Sequence, residues 1–447
     1  MPGGIDPHTH LEMPFMGQVS CETFYSGHRA ALAGGTTMHV DFALSVDGDP
    51  LKGYERWREM ADRGAMDYAL HVSVDGWRGE ATRRAMEAVV ARGVNSFKFF
   101  LAYKGALMVK DDEFVEGLEA CRDLGALAMV HAENGEAVDV GQRRVLAAGI
   151  TGPEGHALSR PPVVEIEATQ RAIALARLAN APLYVVHVMS GGAAEAVARA
   201  RLEGVRVVGE AVAAALALDE SAVWNANWTE AARFVMSPPI KSAEDRQRVR
   251  RALAGGALAL TGTDHAVFSD AQKAAGRAKE DFRAIPNGVN GIGERMHVVW
   301  EELVNAGLAS PSDFVRVTST EAAKLFNIYP RKGLVAPGSD ADVVLFDPNE
   351  RHVISADTHH SVLDYNVFEG KPITGKVVST ISRGRLVWHD GKLDVPAGSA
   401  RFVPTPPFGP IFDGLDKRDV YEPYRVYGDI PVKRAPADSA AAPKDEL

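Results

Sequence analysis

Apolar positions follow two alternating rhythms along the first 265 residues. Short β-branched and aromatic runs occupy 4–10, 36–44, 67–74, 96–102, 127–133, 183–189, 205–212 and 257–265. Between them lie stretches with a helical period, at 22–33, 52–63, 80–92, 111–124, 165–178, 193–202 and 244–254. Many of these end at a glycine that suits a helix C-cap: Gly34, Gly64, Gly93, Gly125, Gly204 and Gly255. Eight strand runs separated by helices predict an α/β fold of the (β/α)8 barrel type. A doubly wound sheet is the alternative, but no GxGxxG follows the first run.

Gly- and Pro-rich punctuation at 149–162, 236–239 and 285–288 predicts loops over one end of the barrel. Helices are expected again at 289–306 and 311–325. After Pro330 the texture changes to short runs at 342–346, 377–383 and 385–388 between Gly and Asp turns, which predicts a small β module. The expected organisation is a barrel over 1–330, a partial β-sandwich over 331–403 and an extended tail over 404–447, disordered in 435–447.

Composition narrows the class. The chain is 46% apolar and 24% charged, as a globular protein should be. Its formal charge is −10 with no Lys/Arg block, which argues against a nucleic-acid surface or a basic membrane anchor. No run approaches the roughly 20 apolar residues of a membrane span. Met1 to Asp6 lacks a basic region followed by an apolar one, so no signal peptide is expected. Without one, the terminal Lys444-Asp445-Glu446-Leu447 reads as chance rather than as an ER address. Cys21 and Cys121 are expected as free thiols in the cytoplasm.

Chemistry concentrates at the ends of the strand runs, where barrel enzymes place catalytic groups. His8 and His10 stand two apart in the first run and share a face. The fifth, sixth and eighth runs end in His131, His187 and Asp264-His265. Five of the 14 histidines therefore sit at four strand ends, which points to a metal centre with N and O ligands, Zn²⁺ or a similar ion. Lys98, within Ser96-Phe97-Lys98-Phe99-Phe100, is an ammonium among apolar neighbours. It is either salt-bridged to Asp264 or Glu133, or carboxylated by carbon dioxide to bridge two cations; the residues alone leave both open. Asp264 fits a general acid/base, taking a proton from attacking water and passing it to a leaving nitrogen. His39, mid-strand, reads as a packed or supporting histidine.

The same stretches resemble the dihydropyrimidinase and D-hydantoinase family of cyclic amidohydrolases. PGGIDPHTH at 2–10, SFKFFLAYKG at 96–105, VHAENG at 130–135, GITGPEGHALSRPP at 149–162, YVVHVMS at 184–190, MSPPIK at 236–241 and IPNGVNGI at 285–292 carry the likeness. NIYPRKG at 327–333, GSDADVV at 338–344 and DYNVFEGK at 364–371 extend it beyond the barrel. The resemblance implies that His8, His10 and Asp264 hold one zinc and His131 and His187 the other, with carboxylated Lys98 as the bridge. It implies that Tyr103 stabilises the oxyanion, and that Ser237 and Asn287 hold the ring amide through backbone groups. It also implies a homotetramer and hydrolysis of 5,6-dihydropyrimidines or 5-substituted hydantoins to N-carbamoyl amino acids.

The family has strands ahead of PGGIDPHTH that complete the β-sandwich; here Met1 stands in that place, so the module is expected to lack them. Rival readings are an allantoinase or dihydroorotase, which share the ligands, and a non-catalytic scaffold related to the family. A dihydroorotase should offer an arginine soon after the first motif, whereas Leu11-Glu12-Met13-Pro14-Phe15-Met16 is apolar and acidic. The complete ligand set disfavours the scaffold. Substrate preference is expected to lie in the loops at 44–50 and 103–109.

Overall fold

A computed structural model of the chain describes residues 1–415 and Arg434. The rest of the tail, including 435–447, lies outside the described residues. Eight parallel strands form in the predicted order: β1 Gly4–Thr9, β2 Thr36–Ala43, β3 Asp67–Ser73, β4 Ser96–Phe100, β5 Leu127–His131, β6 Leu183–Val185, β7 Val207–Val212 and β8 Leu260–Gly262. Each pairs with the next. The barrel closes between the C-terminal ends of β1 and β8, where Asp264 N donates to His8 O and His10 N donates to His265 O, both at 2.9 Å.

Two apolar layers hold this sheet. Ile5, Met38, Val40, Met129, Tyr184 and Leu260 fill the barrel interior. Phe97, Phe99, Val130, Val185 and Val207 face the helices. A fully buried side chain of this kind contributes about 1.5–3 kcal/mol over its exposed state. The helix Asp111–Leu124 packs tightly on β4 because Gly117 leaves room for the Phe99 ring; a Cβ there would lie 2.5 Å from it. Gly125 ends that helix at φ +68°, the left-handed conformation glycine adopts without strain.

Local boundaries differ from the sequence reading. Most strands end earlier than expected, so His10, His187 and Asp264 lie just beyond them. A helix, Gly135–Ala147, follows β5 where none was expected. Among its 13 residues only Gly135 and Val138 are buried, so no apolar stripe betrays it; the Asn134 side chain caps it instead. The loop at 149–162 contains a short helix, Glu154–Leu158. The helix expected over 289–306 begins at Arg295 and widens into a π-helical turn at Trp300–Asn305.

The module after Pro330 is a four-stranded antiparallel sheet in chain order: β9 Val343–Val353, β10 Pro372–Ser382, β11 Arg385–His389 and β12 Lys392–Leu393. The first residues run beside its edge, with Val344 N donating to Met1 O and Gly3 N to Asp342 O, both 2.9 Å. At the floor of the barrel Lys332 Nζ sits among Asp67 (2.5 Å), Asp340 (3.0 Å) and Asp342. β13, Arg401–Phe402, then adds in parallel to the start of β3. No helix among the described residues is long and apolar enough to cross a membrane.

Candidate metal centre

Nine of the residues named in the sequence, His8, His10, Lys98, Tyr103, His131, His187, Ser237, Asp264 and Asn287, line one cavity of about 50 Å³ at the C-terminal end of the barrel. Phe15, Leu44, Tyr103, Leu107 and Asn287 also border a wider vestibule of about 520 Å³ above it. A larger cavity of about 730 Å³ lies against the small sheet, but its histidines assemble no group of three donors among the described residues.

Barrel closure brings the first group together. His8 Nε2 and His10 Nε2 each lie 3.1 Å from Asp264 Oδ1. His8 Nε2 and His10 Nδ1 are buried without a hydrogen-bond partner; the His8 approach to Asp264 is close but not aligned as a hydrogen bond. Such orphaned nitrogens beside a carboxylate fit a cation. Next to them the rings of His131 and His187 are 4.5 Å apart, and those of His8 and His187 5.3 Å. The other three-donor cluster among the described residues, Asp67 with Asp340 and Asp342, already has the Lys332 ammonium at its centre.

Strain and burial shape this site. Tyr103, His187 and Asp264 adopt φ of 61°, 37° and 53°. Non-glycine residues pay on the order of 1–3 kcal/mol for such backbone, and it turns side chains inward just past the strand ends. Burial lowers His10 to about 4 and His187 well below its ordinary value, leaving both imidazoles neutral, the form that binds metal. Burial also opposes charge on His8, but Glu210 and Asp264 outweigh it and hold its pKa at about 9. Asp264 is pushed up by burial and more strongly pulled down by His8 and His10. Burial drops Lys98 to about 7 against the opposing pull of Asp264 and Glu210. Its Nζ stands over Phe42 (4.6 Å) and Phe100 (5.2 Å), while Glu133 is taken by Arg160 Nη1 and His131 Nε2, both at 2.8 Å.

The amidohydrolase family model matches residues 1–387. The chain belongs to the amidohydrolase family. A dihydropyrimidinase of Arabidopsis thaliana is 53% identical over 420 residues, which span 94% of this chain and 78% of the relative. The crystal structure of a dihydropyrimidinase from Brevibacillus agri NCHU1002 superimposes with a TM-score of 0.89 at 43% identity, covering 92% of this chain and 89% of that one. A D-hydantoinase from a Bacillus sp. AR9 gives 0.89 at 42%, covering 91% and 90%. These relatives place this amidohydrolase in the dihydropyrimidinase and hydantoinase branch, and family membership implies a two-metal centre.

Several supporting groups of this amidohydrolase escaped the sequence reading. Glu210 lies inside β7, one of two strands for which no candidate was named; a lone carboxylate in an apolar barrel strand was the available signal. It accepts from His8 Nδ1 and from Tyr184 Oη. A buried chain also fixes the other side of β1. His28 Nδ1 accepts from Ala65 N (2.9 Å) and Met66 N (3.0 Å), so its proton is on Nε2 and is donated to His39 Nε2 at 2.7 Å. His39 must then donate from Nδ1 to Thr9 Oγ1, which donates to Asp41 Oδ2, each at 2.7 Å. Leu11 N and Trp57 Nε1 complete the Asp41 carboxylate at 3.0 Å. His265 donates instead to Glu22 and accepts from Gly291 N and Ile292 N, a structural role outside the cavity.

Proposed function

We propose that this chain hydrolyses the cyclic amide of 5,6-dihydropyrimidines and 5-substituted hydantoins to N-carbamoyl amino acids. The convergence of His8, His10, Asp264, His131, His187 and Lys98 beneath a vestibule bordered by Phe15, Leu44 and Leu107 carries this reading. His8, His10 and Asp264 would hold one zinc ion, and His131 and His187 the other. Lys98, whose depressed pKa keeps much of the amine neutral, would add carbon dioxide and supply a bridging carboxylate. Bound divalent ions would polarise the ring carbonyl and raise the acidity of the attacking water.

The chain's own groups supply the rest. The Asp264 oxygen not engaged by His8 and His10 takes a proton and returns it to the ring nitrogen as the C–N bond breaks. Burial pushes the Tyr103 hydroxyl up to about 12 against Arg160, so it stays protonated and donates to the developing oxyanion. Ser237 and Asn287, joined by Asn287 Nδ2 donating to Ser237 Oγ at 2.9 Å, form the wall that reads the ring amide. The loops at 44–50 and 103–109 set ring-substituent preference, because Leu44 and Leu107 line both cavity and vestibule. The working unit is taken to be a cytoplasmic homotetramer, checked by sedimentation.

The test is metal analysis with ring-opening assays on dihydrouracil and hydantoin. About two zinc ions per chain and activity lost to chelator and restored by zinc are expected. Full activity in metal-free protein would overturn the reading.

A further inference from the structure

Lys273 is buried to 1% exposure, in the short helix Asp270–Lys273 outside the metal centre. Its Nζ donates to three backbone carbonyls: Val235 O at 3.2 Å, Pro286 O at 3.1 Å and Gly288 O at 2.9 Å. These belong to two segments some 50 residues apart in sequence. One leads directly into Met236-Ser237; the other flanks Asn287. The backbone also joins them directly, Gly288 N donating to Val235 O at 2.9 Å. The nearest acidic neighbour, Asp270, is committed to Arg233 through hydrogen bonds of 2.9 and 2.6 Å.

We propose that Lys273 is a positioning residue: its ammonium clamps the 235–237 and 286–288 segments together and so sets the spacing of Ser237 and Asn287. The assignment rests on the reading of those two residues as the ring-amide wall.

An ammonium has three donors, and here each meets one carbonyl. Burying that charge is expensive without such partners, and an apolar side chain would fill the space at lower cost. Burial draws the lysine down to about 7 against the pull of Asp270. Three inward-facing carbonyls need three hydrogens, which favours the charged form. The clamped segments are also pressed against the strand end that carries Asp264. A Cβ on Gly288, at φ +148°, would lie 2.0 Å from Ala266 O. Ala266 N in turn donates to Val289 O at 3.2 Å. A shift of the 286–288 segment therefore moves Asn287 with little slack, while His8 and His131 sit on β1 and β5, and His10 and His187 follow β1 and β6. The clamp should accordingly govern substrate affinity and leave metal loading alone.

The test compares the zinc-loaded wild type with Lys273→Met and Lys273→Gln. Amide hydrogen exchange at Met236, Ser237, Asn287 and Gly288 should accelerate by about tenfold or more in the Met variant, with the rest of the barrel unchanged. KM for dihydrouracil should rise about tenfold with a smaller change in kcat. Zinc content should stay at the wild-type level. The Gln variant, with two amide hydrogens, should fall between. Unchanged exchange at those four amides, or acceleration spread evenly over the barrel, would overturn the clamp. If the Met variant does not fold, the Gln variant decides by the same measurements; if neither folds, the residue is structural and the proposal fails. A wild type that opens neither ring would overturn the functional reading instead, and the exchange data would still judge the clamp.

Discussion

Glu210 accepts a hydrogen bond from His8 Nδ1 at 2.9 Å, and this orientation turns His8 Nε2 toward Asp264. Both side chains are fully buried, and Tyr184 Oη fixes the second Glu210 oxygen. Removing such a partner frees the imidazole to rotate and lowers its basicity. Glu210→Ala should weaken zinc binding at the His8 site by about 10- to 100-fold while the barrel stays folded. Metal titration with a competing chelator would check it; wild-type affinity would refute the role.

Lys98→Ala should remove the bridging group that the proposed site requires. The expected result is loss of zinc and of ring opening, with partial recovery on adding short carboxylic acids that supply the missing oxygens. Metal analysis and activity with and without acetate read this directly. A variant that kept both ions unaided would contradict the bridging role of Lys98.

Tyr103→Phe deletes one hydroxyl and leaves the ring packed 5.1 Å from His131. If that hydroxyl donates to the oxyanion, kcat should fall by about 10²- to 10³-fold with KM changed much less. A fall in kcat/KM carried entirely by KM would assign it to ground-state binding instead.

Acid should destabilise the fold earlier than its carboxylates alone would. Burial lowers His39 and His156 to about 3 from 6.5, so both stay neutral in the folded protein. Below pH 6.5 the unfolded chain takes up protons that the folded one does not. Stability then falls as pH falls, by up to about 1.4 kcal/mol per pH unit for each histidine. Glu133 acts lower: burial raises it, but Arg160 and His131 bring it down to about 2 from 4.5. Its contribution is intact above pH 4.5 and is lost as pH falls toward 2. Urea unfolding of the protein from about pH 7.5 to about pH 5 should show the histidine slope, and His39→Gln should flatten it.

The barrel was legible because parallel strands buried on both faces read as continuous apolar runs, and all eight were visible at the right places. The helix Gly135–Ala147 was not, since it buries almost nothing and is held by a cap rather than a stripe. The donor cluster was visible as His and Asp at strand ends, a regularity one chain can show by itself. Glu210 was a carboxylate inside an apolar run, short of the strand end and without a histidine to draw attention to it. The chain from His28 through His39 and Thr9 to Asp41 has no signature at all, because it links residues on three separate segments.

From its sequence alone this protein had a period, a strand count and a set of donor side chains, all properties of neighbours along one chain. Only the closed barrel decided that His8 Nε2 lies 3.1 Å from Asp264 Oδ1, 256 residues away. The same closure decided that Lys98 loses its water and that Glu210 reaches His8, and the packing of the segments above it decided that Lys273 stands among three carbonyls. Ligand type is written in single residues, but distance, burial and the pKa values they produce arise where separate strands meet, and closure of the sheet is what makes them meet.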